Sequence, residues 1–520
     1  MKSKLPLFEN LSYLTIWTSM CFYSLHIFRK AQTDILKENP YYLYSLNDLK
    51  PGWGFLSRLK DVSDIEWNTL LFLIQSSWIY MFIQFVFSEI IRRKCNSVVL
   101  KYWYILSSTI FVLFYMGYKH LILMFIQPVI YFIILCMGGK KISVWITSAL
   151  ILISYNSLKN TSYFWVFLEG HNLRDEQVIL VLFGMAWVEL RCISYSIDFI
   201  NKLEQLKLSK ENTCNQTPSV GDTVNMFSYV LYLPVLYAGP LILYEEFEKS
   251  FIIKNGKLLP RLRRFCIDML LYGIYAVLLE LSLHYMYFYA MQSNMEIIKK
   301  LSTLALVGGG IWMGFEFHTK YVISYGTMAS FARLDNIDAP PTPRCIARIH
   351  LYSHMWRYFD VGLYRFLVKY IYKPIQNTIT SYMNLSVALT KTLSSLITFI
   401  FIFSWHGTMW SIFKWAALNY IGILVEVAGK SVSKTERYKR FKENVLKTDA
   451  METRFVAFLG APFLGYSIIS SFYLFGGSEV GDLYFALLKW PSWYNIVLVY
   501  CSLYCSYHVG MALKDLPSRT

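Results

Sequence analysis

An all-α membrane bundle, polytopic and carrying re-entrant and interfacial helices, is the fold class this sequence predicts, and three observations predict it. Of 520 residues, 55% are hydrophobic, 18% aromatic and 16% charged, a balance far from that of soluble globular chains. Nearly charge-free stretches, long enough for the roughly 20 residues that cross a hydrocarbon core, recur along most of the chain. These runs are continuous rather than alternating, which argues against a β-barrel. The net charge of +16 does not point to nucleic acid. Its basic residues gather in short clusters between apolar runs, as cytoplasmic loops of membrane proteins do.

The first apolar segment, Leu11 to Phe28, follows Lys2 and Lys4, and no small-residue cleavage site comes after it, so it reads as an uncleaved signal anchor. With it, candidate spanning or re-entrant segments centre near residues 19, 79, 109, 128, 149, 187, 234, 277, 311, 397, 417, 463 and 497. Some of the thirteen must dip rather than cross. Val224 to Tyr244 carries Pro234, Gly239 and Pro240, breaks tolerated at membrane depth where backbone is buried in protein or faces water. Gly308, Gly309 and Gly310 are expected to break another segment. Basic clusters fall at Arg92 to Lys94, Lys140 and Lys141, Lys254 to Arg264, and Lys430 to Lys442. Asn201 to Asp222 and Lys430 to Thr453 read as loops. No internal repeat and no second soluble domain is visible, so residues 1–520 form a single multi-pass domain. The nine cysteines make no C-x-x-C pair and no zinc spacing; Cys21, Cys136 and Cys266 sit in apolar runs as small hydrophobes.

Ionisable groups inside apolar runs are expensive and are candidates for function. Arg191 and Asp198, seven apart with Glu189 nearby, read as an internal ion pair that fixes helix packing. Glu280 with His284, and Glu316 with His318, are either proton-relay groups or interfacial groups beside tyrosines. His508 reads as a satisfied helix-end histidine.

Asp360 is more informative. Advancing "HMWRYFDVGLYRFLVKYIYKP" by about 100° per residue places Trp356, Asp360, Tyr364, Leu367 and Ile371 on one face, with Arg365, Lys369 and Lys373 opposite. That is the pattern of a helix in the membrane interface, and it turns Asp360 away from the basic stripe. There it is a buried functional carboxylate, or it caps a helix or pairs with Arg357. His406, in "SWHGTMW", is the sole side chain from Thr392 to Phe413 that ionises near neutral pH. It is a hydrogen-bonded structural group, or a base in a slot walled by Trp405, Met409 and Trp410, where Gly407 lets a ligand approach the backbone.

Together these two segments resemble the membrane-bound O-acyltransferase (MBOAT) superfamily, and specifically its Hedgehog acyltransferase branch. The resemblance is carried by "PRCIARIHLYSHMWRYFDVGLYRFLVKYIYKP" at 343–374, "SWHGTMWSIFKWAALNYIGILVE" at 404–426, "FGGSEVG" at 475–481 and "YCSYHVG" at 504–510. With "LRCISYSIDF" at 190–199 and "YLPVLYAGPLILYEEF" at 232–247 it covers an acyltransferase core at 190–510. It implies a helical bundle with re-entrant segments and a tunnel, in the endoplasmic reticulum membrane with the Golgi as the alternative. It further implies transfer of palmitoyl from palmitoyl-CoA to the α-amine of the N-terminal cysteine of a secreted Hedgehog-type precursor. By carry-over, His406 and Asp360 are the catalytic pair, and Trp356 and Arg357 line the acyl-CoA side. Cys345, by itself a palmitoylation site or an inert thiol, becomes the ligand of a haem B iron. The chain departs from the branch in a longer stretch between Lys373 and His406 and in Ser478, where asparagine is expected.

Two other classes fit the composition. A transporter with Glu280, Glu316 and Asp360 along an ion path lacks the inverted repeat common in transporters. A silent scaffold would be expected to lose the histidine, which is present. An enzyme acting on a lipid, or on serine of another secreted protein, stays open.

Overall fold

The apolar runs fold as helices because a chain in hydrocarbon must satisfy its backbone polar groups within the segment. A computed structural model describes residues 5–39, 41, 48–169, 174–208, 217–252, 257–487, 492–514 and 516. Among them, ten helices are long and apolar enough to cross a membrane. These are α2 (Ile65–Lys94), α3 (Ser97–Phe111, continued by a π-turn to Met116), α4 (Tyr118–Cys136), α5 (Lys141–Leu158) and α7 (Asp175–Leu208), then α10 (Leu258–Ser282), α17 (Val387–His406), α18 (Trp410–Val432), α20 (Asp449–Phe475) and α22 (Trp493–Leu513). Shorter helices used below are α6 (Ser162–Glu169), α8 (Val220–Val230), α9 (Tyr244–Ile252), α14 (Tyr352–Tyr358), α15 (Val361–Phe366), α16 (Lys373–Tyr382), α19 (Glu436–Phe441) and α21 (Gly477–Ala486). Sheet is confined to a ribbon of β1 (Leu49–Pro51) and β2 (Leu59–Asp61).

Two further long helices, α1 (Leu7–Glu38) and α13 (Thr303–Leu334), pack together. Most of α13 is buried. The glycines at 308–310 do not break it. They permit contact instead: a Cβ on Gly308 would strike the Ser24 carbonyl of α1, one on Gly309 the Phe288 ring, and one on Gly310 would lie 2.7 Å from Phe472. The segment near 234 is irregular and buried, as its prolines require, with one 3-10 turn at Leu233–Val235.

Both expected loops are partly helical. α7 continues to Leu208, and α8 begins at Val220 under a Ser219–Asp222 capping box; residues 209–216 lie outside the described residues. Between 430 and 453, Thr435 and Thr448 accept from the amides of Tyr438 and Met451 and so start α19 and α20. Lys254 also lies outside the described residues.

Following the crossings, the basic clusters collect at one end of the bundle. Arg92 of α2 meets Asp335 after α13 at 2.9 Å, Arg261 of α10 meets Glu89 at 2.8 Å, and Lys141 of α5 meets Glu204 of α7 at 2.7 Å. The opposite end holds the ribbon, the last turns of α5 and α17, and the start of α2. Arg191 and Asp198 are not paired. Seven residues span about 10 Å of helix, so Arg191 donates to the Val230 carbonyl at 2.9 Å. Asp198 receives Lys369 at 2.9 Å and the Tyr370 hydroxyl at 2.7 Å.

Candidate active site

One cavity of about 900 Å³ brings together His406, Asp360 and Trp356 from segments remote in sequence. His406 is the final residue of α17. Gly407 ends that helix with φ 118°, a conformation open to glycine and costly for other residues. The imidazole is exposed to the cavity, and its faces are set by the edges of Trp405 and Trp415, with ring centres 4.7 and 5.1 Å away. Trp405 is anchored through its indole N–H, which donates to the Ala186 carbonyl of α7 at 3.0 Å.

Asp360 sits at a break. The interfacial stretch is not one helix: α14 stops at Tyr358 and α15 begins at Val361, with Asp360 as its N-cap. One carboxylate oxygen accepts from the Leu363 amide at 2.8 Å and the other from the Tyr325 hydroxyl of α13 at 3.1 Å. The capping role is thus real, and the same carboxylate lines the cavity. Burial pushes its pKa up to about 6, although both hydrogen bonds favour the charged form. It does not pair with Arg357, which is exposed and lies over the Tyr364 ring at 5.7 Å. Arg357 therefore does not line the cavity as expected; one residue along a helix is a turn of about 100°, which points it away from the face of Trp356.

Trp356, Asp360 and Tyr364 share the cavity face that the helical phase predicted. Trp356 donates from its indole N–H to Asn419 Oδ1 of α18 at 3.2 Å and packs against Phe399 and Trp415. The opposite stripe is bound rather than free: Arg365 meets Glu246 at 2.8 Å, and Lys369 bridges Asp198 and Glu245.

Toward the end opposite the basic clusters the cavity turns polar. Asp64 caps α2 through the Trp67 amide at 3.1 Å. Lys320 of α13 reaches Asp64 at 2.6 Å and Glu66 at 2.7 Å, and the Tyr321 hydroxyl donates to Glu66 at 2.6 Å. Sequence reading missed this cluster and Tyr325. A lysine one turn after Glu316 in an apolar run was its signal.

The remaining candidates are structural. Glu280 holds Lys60 and accepts from the Trp67 indole at 2.8 Å, and His284 bonds the Trp53 amide at 2.9 Å, fastening the ribbon to α10. Glu316 is buried with both oxygens unpaired and does not line the cavity. His508 has no hydrogen-bond partner. It is stacked on Tyr13 at 4.3 Å, a packed aromatic rather than a satisfied helix-end group. Cys345 is an exposed thiol that does not line the cavity, and the forks of Arg344 and Arg348 beside it are occupied by carbonyls at Leu513 and Lys514. Nothing in this arrangement encloses a porphyrin, so haem at Cys345 is not supported. Among the described residues no group of three or more His, Cys, Asp or Glu could hold a metal ion. Ser478 stands in the first turn of α21, off the cavity.

The arrangement suits acyl transfer: an imidazole open to a buried slot, a carboxylate fixed by two donors, and aromatic walls for a long apolar chain. Comparison with known proteins agrees. Residues 140–460, more than half the chain, match the MBOAT, membrane-bound O-acyltransferase family. The chain is 29% identical to the protein-cysteine N-palmitoyltransferase Rasp of Drosophila melanogaster over 378 residues, 72% of this chain and 69% of the fly protein. It is 30% identical to the protein-cysteine N-palmitoyltransferase HHAT of Mus musculus over 313 residues, 58% of this chain and 61% of the mouse protein. The membrane-bound O-acyltransferase GUP1 of Millerozyma farinosa is more distant, 23% identical over half of this chain and 54% of its own length. With the family match covering α5 to α20 and the reactive groups of both key segments gathered in one cavity, the chain belongs to the membrane-bound O-acyltransferase family and is a membrane-embedded acyltransferase.

Proposed function

We propose that the chain moves palmitoyl from palmitoyl-CoA to the α-amine of the N-terminal cysteine of a secreted Hedgehog-type protein, in the endoplasmic reticulum membrane. The observation that carries this reading is the shared cavity of His406 and Asp360, walled by tryptophans and carrying the carboxylates of Asp64 and Glu66 as well. Similarity to two protein-cysteine N-palmitoyltransferases supports the donor and the cysteine acceptor.

The amine nitrogen attacks the thioester carbonyl, a C–N bond forms, the C–S bond breaks, and coenzyme A leaves as a thiolate. His406 accepts the proton from the amine and can return it to that thiolate. Asp360 keeps its negative charge near the amine as it becomes cationic, with its geometry set by Leu363 and Tyr325. A thioester is already activated, so positioning supplies most of the rate. Each acyl methylene taken up by the apolar walls contributes about 0.8 kcal/mol, which makes the slot sensitive to chain length. The basic end is cytoplasmic by the positive-inside rule and faces the coenzyme A phosphates. The carboxylate end then faces the lumen, whence a secreted protein would present its amine.

Purified protein is incubated with labelled palmitoyl-CoA and a peptide beginning with cysteine, beside His406→Ala and Asp360→Asn. Amide labelling is expected from the parent, with His406→Ala slower by about 100-fold or more and Asp360→Asn strongly reduced. A peptide with an acetylated N-terminus should take no stable label. Labelling of a lipid alone would place the acceptor elsewhere, and equal labelling by all three proteins would remove the catalytic assignment.

A further inference from the structure

The chemistry above leaves one cation of the cavity wall without a role. Lys159 follows the last turn of α5 and lines the cavity. No carboxylate pairs with it among the described residues, and burial lowers its pKa. Its ammonium lies 5.8 Å from the centre of the Tyr155 ring. Lys159 is half-buried, and a partly desolvated cation without a counter-charge is costly unless its surroundings compensate it.

They do so at the end of α17. The ammonium lies against Gly407, where a built Cβ would stand 2.8 Å from Nζ and 3.9 Å from Asn156 Oδ1. Asn156, one turn before Lys159, donates from Nδ2 to the Ser404 carbonyl at 2.9 Å. The last carbonyls of a helix lack intrahelical donors and form its negative pole, which a cation stabilises. α5 therefore holds the final turn of α17 through Asn156, with the Lys159 ammonium set beside Gly407, while α7 holds the same turn through the Trp405 indole and Ala186. The residue carried by that turn is His406. The absence of a side chain at 407 is what admits the ammonium.

We infer that Lys159, seconded by Asn156, is a positioning residue for His406: its ammonium closes the carbonyl end of α17 and fixes the direction from which the imidazole meets the amine. The inference rests on His406 being the base of the proposed transfer. A misplacement of the base by an ångström is felt in the rate far more than in binding.

The test compares the full-length parent with Lys159→Met, Lys159→Arg and Asn156→Leu, using palmitoyl-CoA and the cysteine peptide. Lys159→Met should lower kcat about 10-fold with KM for both substrates within about twofold. Lys159→Arg, which keeps the cation, should restore most of the rate, and Asn156→Leu should lower kcat in the same sense. Thermal midpoints identify any variant that has merely unfolded. A change confined to KM would make Lys159 a substrate-binding group and overturn the inference, as would an unchanged kcat. A second readout needs no acyl transfer: the rate at which diethyl pyrocarbonate modifies His406, followed by mass spectrometry. It should differ several-fold between parent and Lys159→Met and be near the parent's in Lys159→Arg. Equal rates in all three overturn the positioning role. A parent that modifies as expected but transfers no palmitoyl counts against the proposed function alone.

Discussion

Asp360 performs two tasks with one carboxylate, and they separate by substitution. Asparagine also caps helices, so Asp360→Asn should leave folding nearly intact while removing the charge beside the amine; Asp360→Ala should cost about 1 kcal/mol more through the lost cap. Thermal unfolding in detergent checks this difference. The pH dependence has a definite sign. Because burial raises the folded pKa to about 6, the folded state favours the protonated group. Its contribution to stability is full below the ordinary carboxylate range, about pH 4, and is lost as pH rises through 6. Lowering pH from 7 to 4 should therefore raise the parent's midpoint relative to Asp360→Asn, and parallel curves would show that this group is not the one titrating. Helical phase in the sequence gave Asp360 its direction, since Trp356, Asp360 and Tyr364 do share a wall. Phase could not reveal the break beneath it, because the cap is defined by the Leu363 amide and a tyrosine 35 residues upstream.

At the scale of elements, apolar runs located nearly every long helix, because length and missing charge are local properties. What fails is local reading of residues whose role is set by a neighbour. The glycines of α13 looked like a break, yet they are a groove for α1 and for Phe288. Gly308→Ala should force these helices apart and destabilise the protein by about 1–3 kcal/mol, whereas Gly314→Ala, in the same helix with open space around it, should be neutral or slightly stabilising. Paired denaturation curves test that contrast. The polar segments after α7 and α18 looked like loops because charge was taken as exit from the membrane; α7 instead runs on to Leu208, and beyond α18 the Thr435 cap starts a new helix.

For the whole molecule, the basic clusters gathered at one end predict an orientation with that end toward the cytoplasm. Cys95, exposed beside Arg92 to Lys94, and Ser57, exposed in the turn of the ribbon, mark opposite ends. In sealed microsomes, a variant retaining Cys95 as its sole cysteine should react with an impermeant maleimide before detergent is added. Ser57→Cys, in a background without other cysteines, should react only afterwards. The buried irregular segment around Pro234 carries a consequence for how this protein is made. It is roofed by α13, whose Met328 side chain would lie 2.9 Å from a Cβ at Gly239, and by α15, whose Gly362 lies on the Leu241 backbone. Both covers are encoded downstream. A ribosome translating this chain therefore delivers the irregular stretch to the membrane well before its roof exists, so its backbone must find other partners during more than a hundred residues of synthesis.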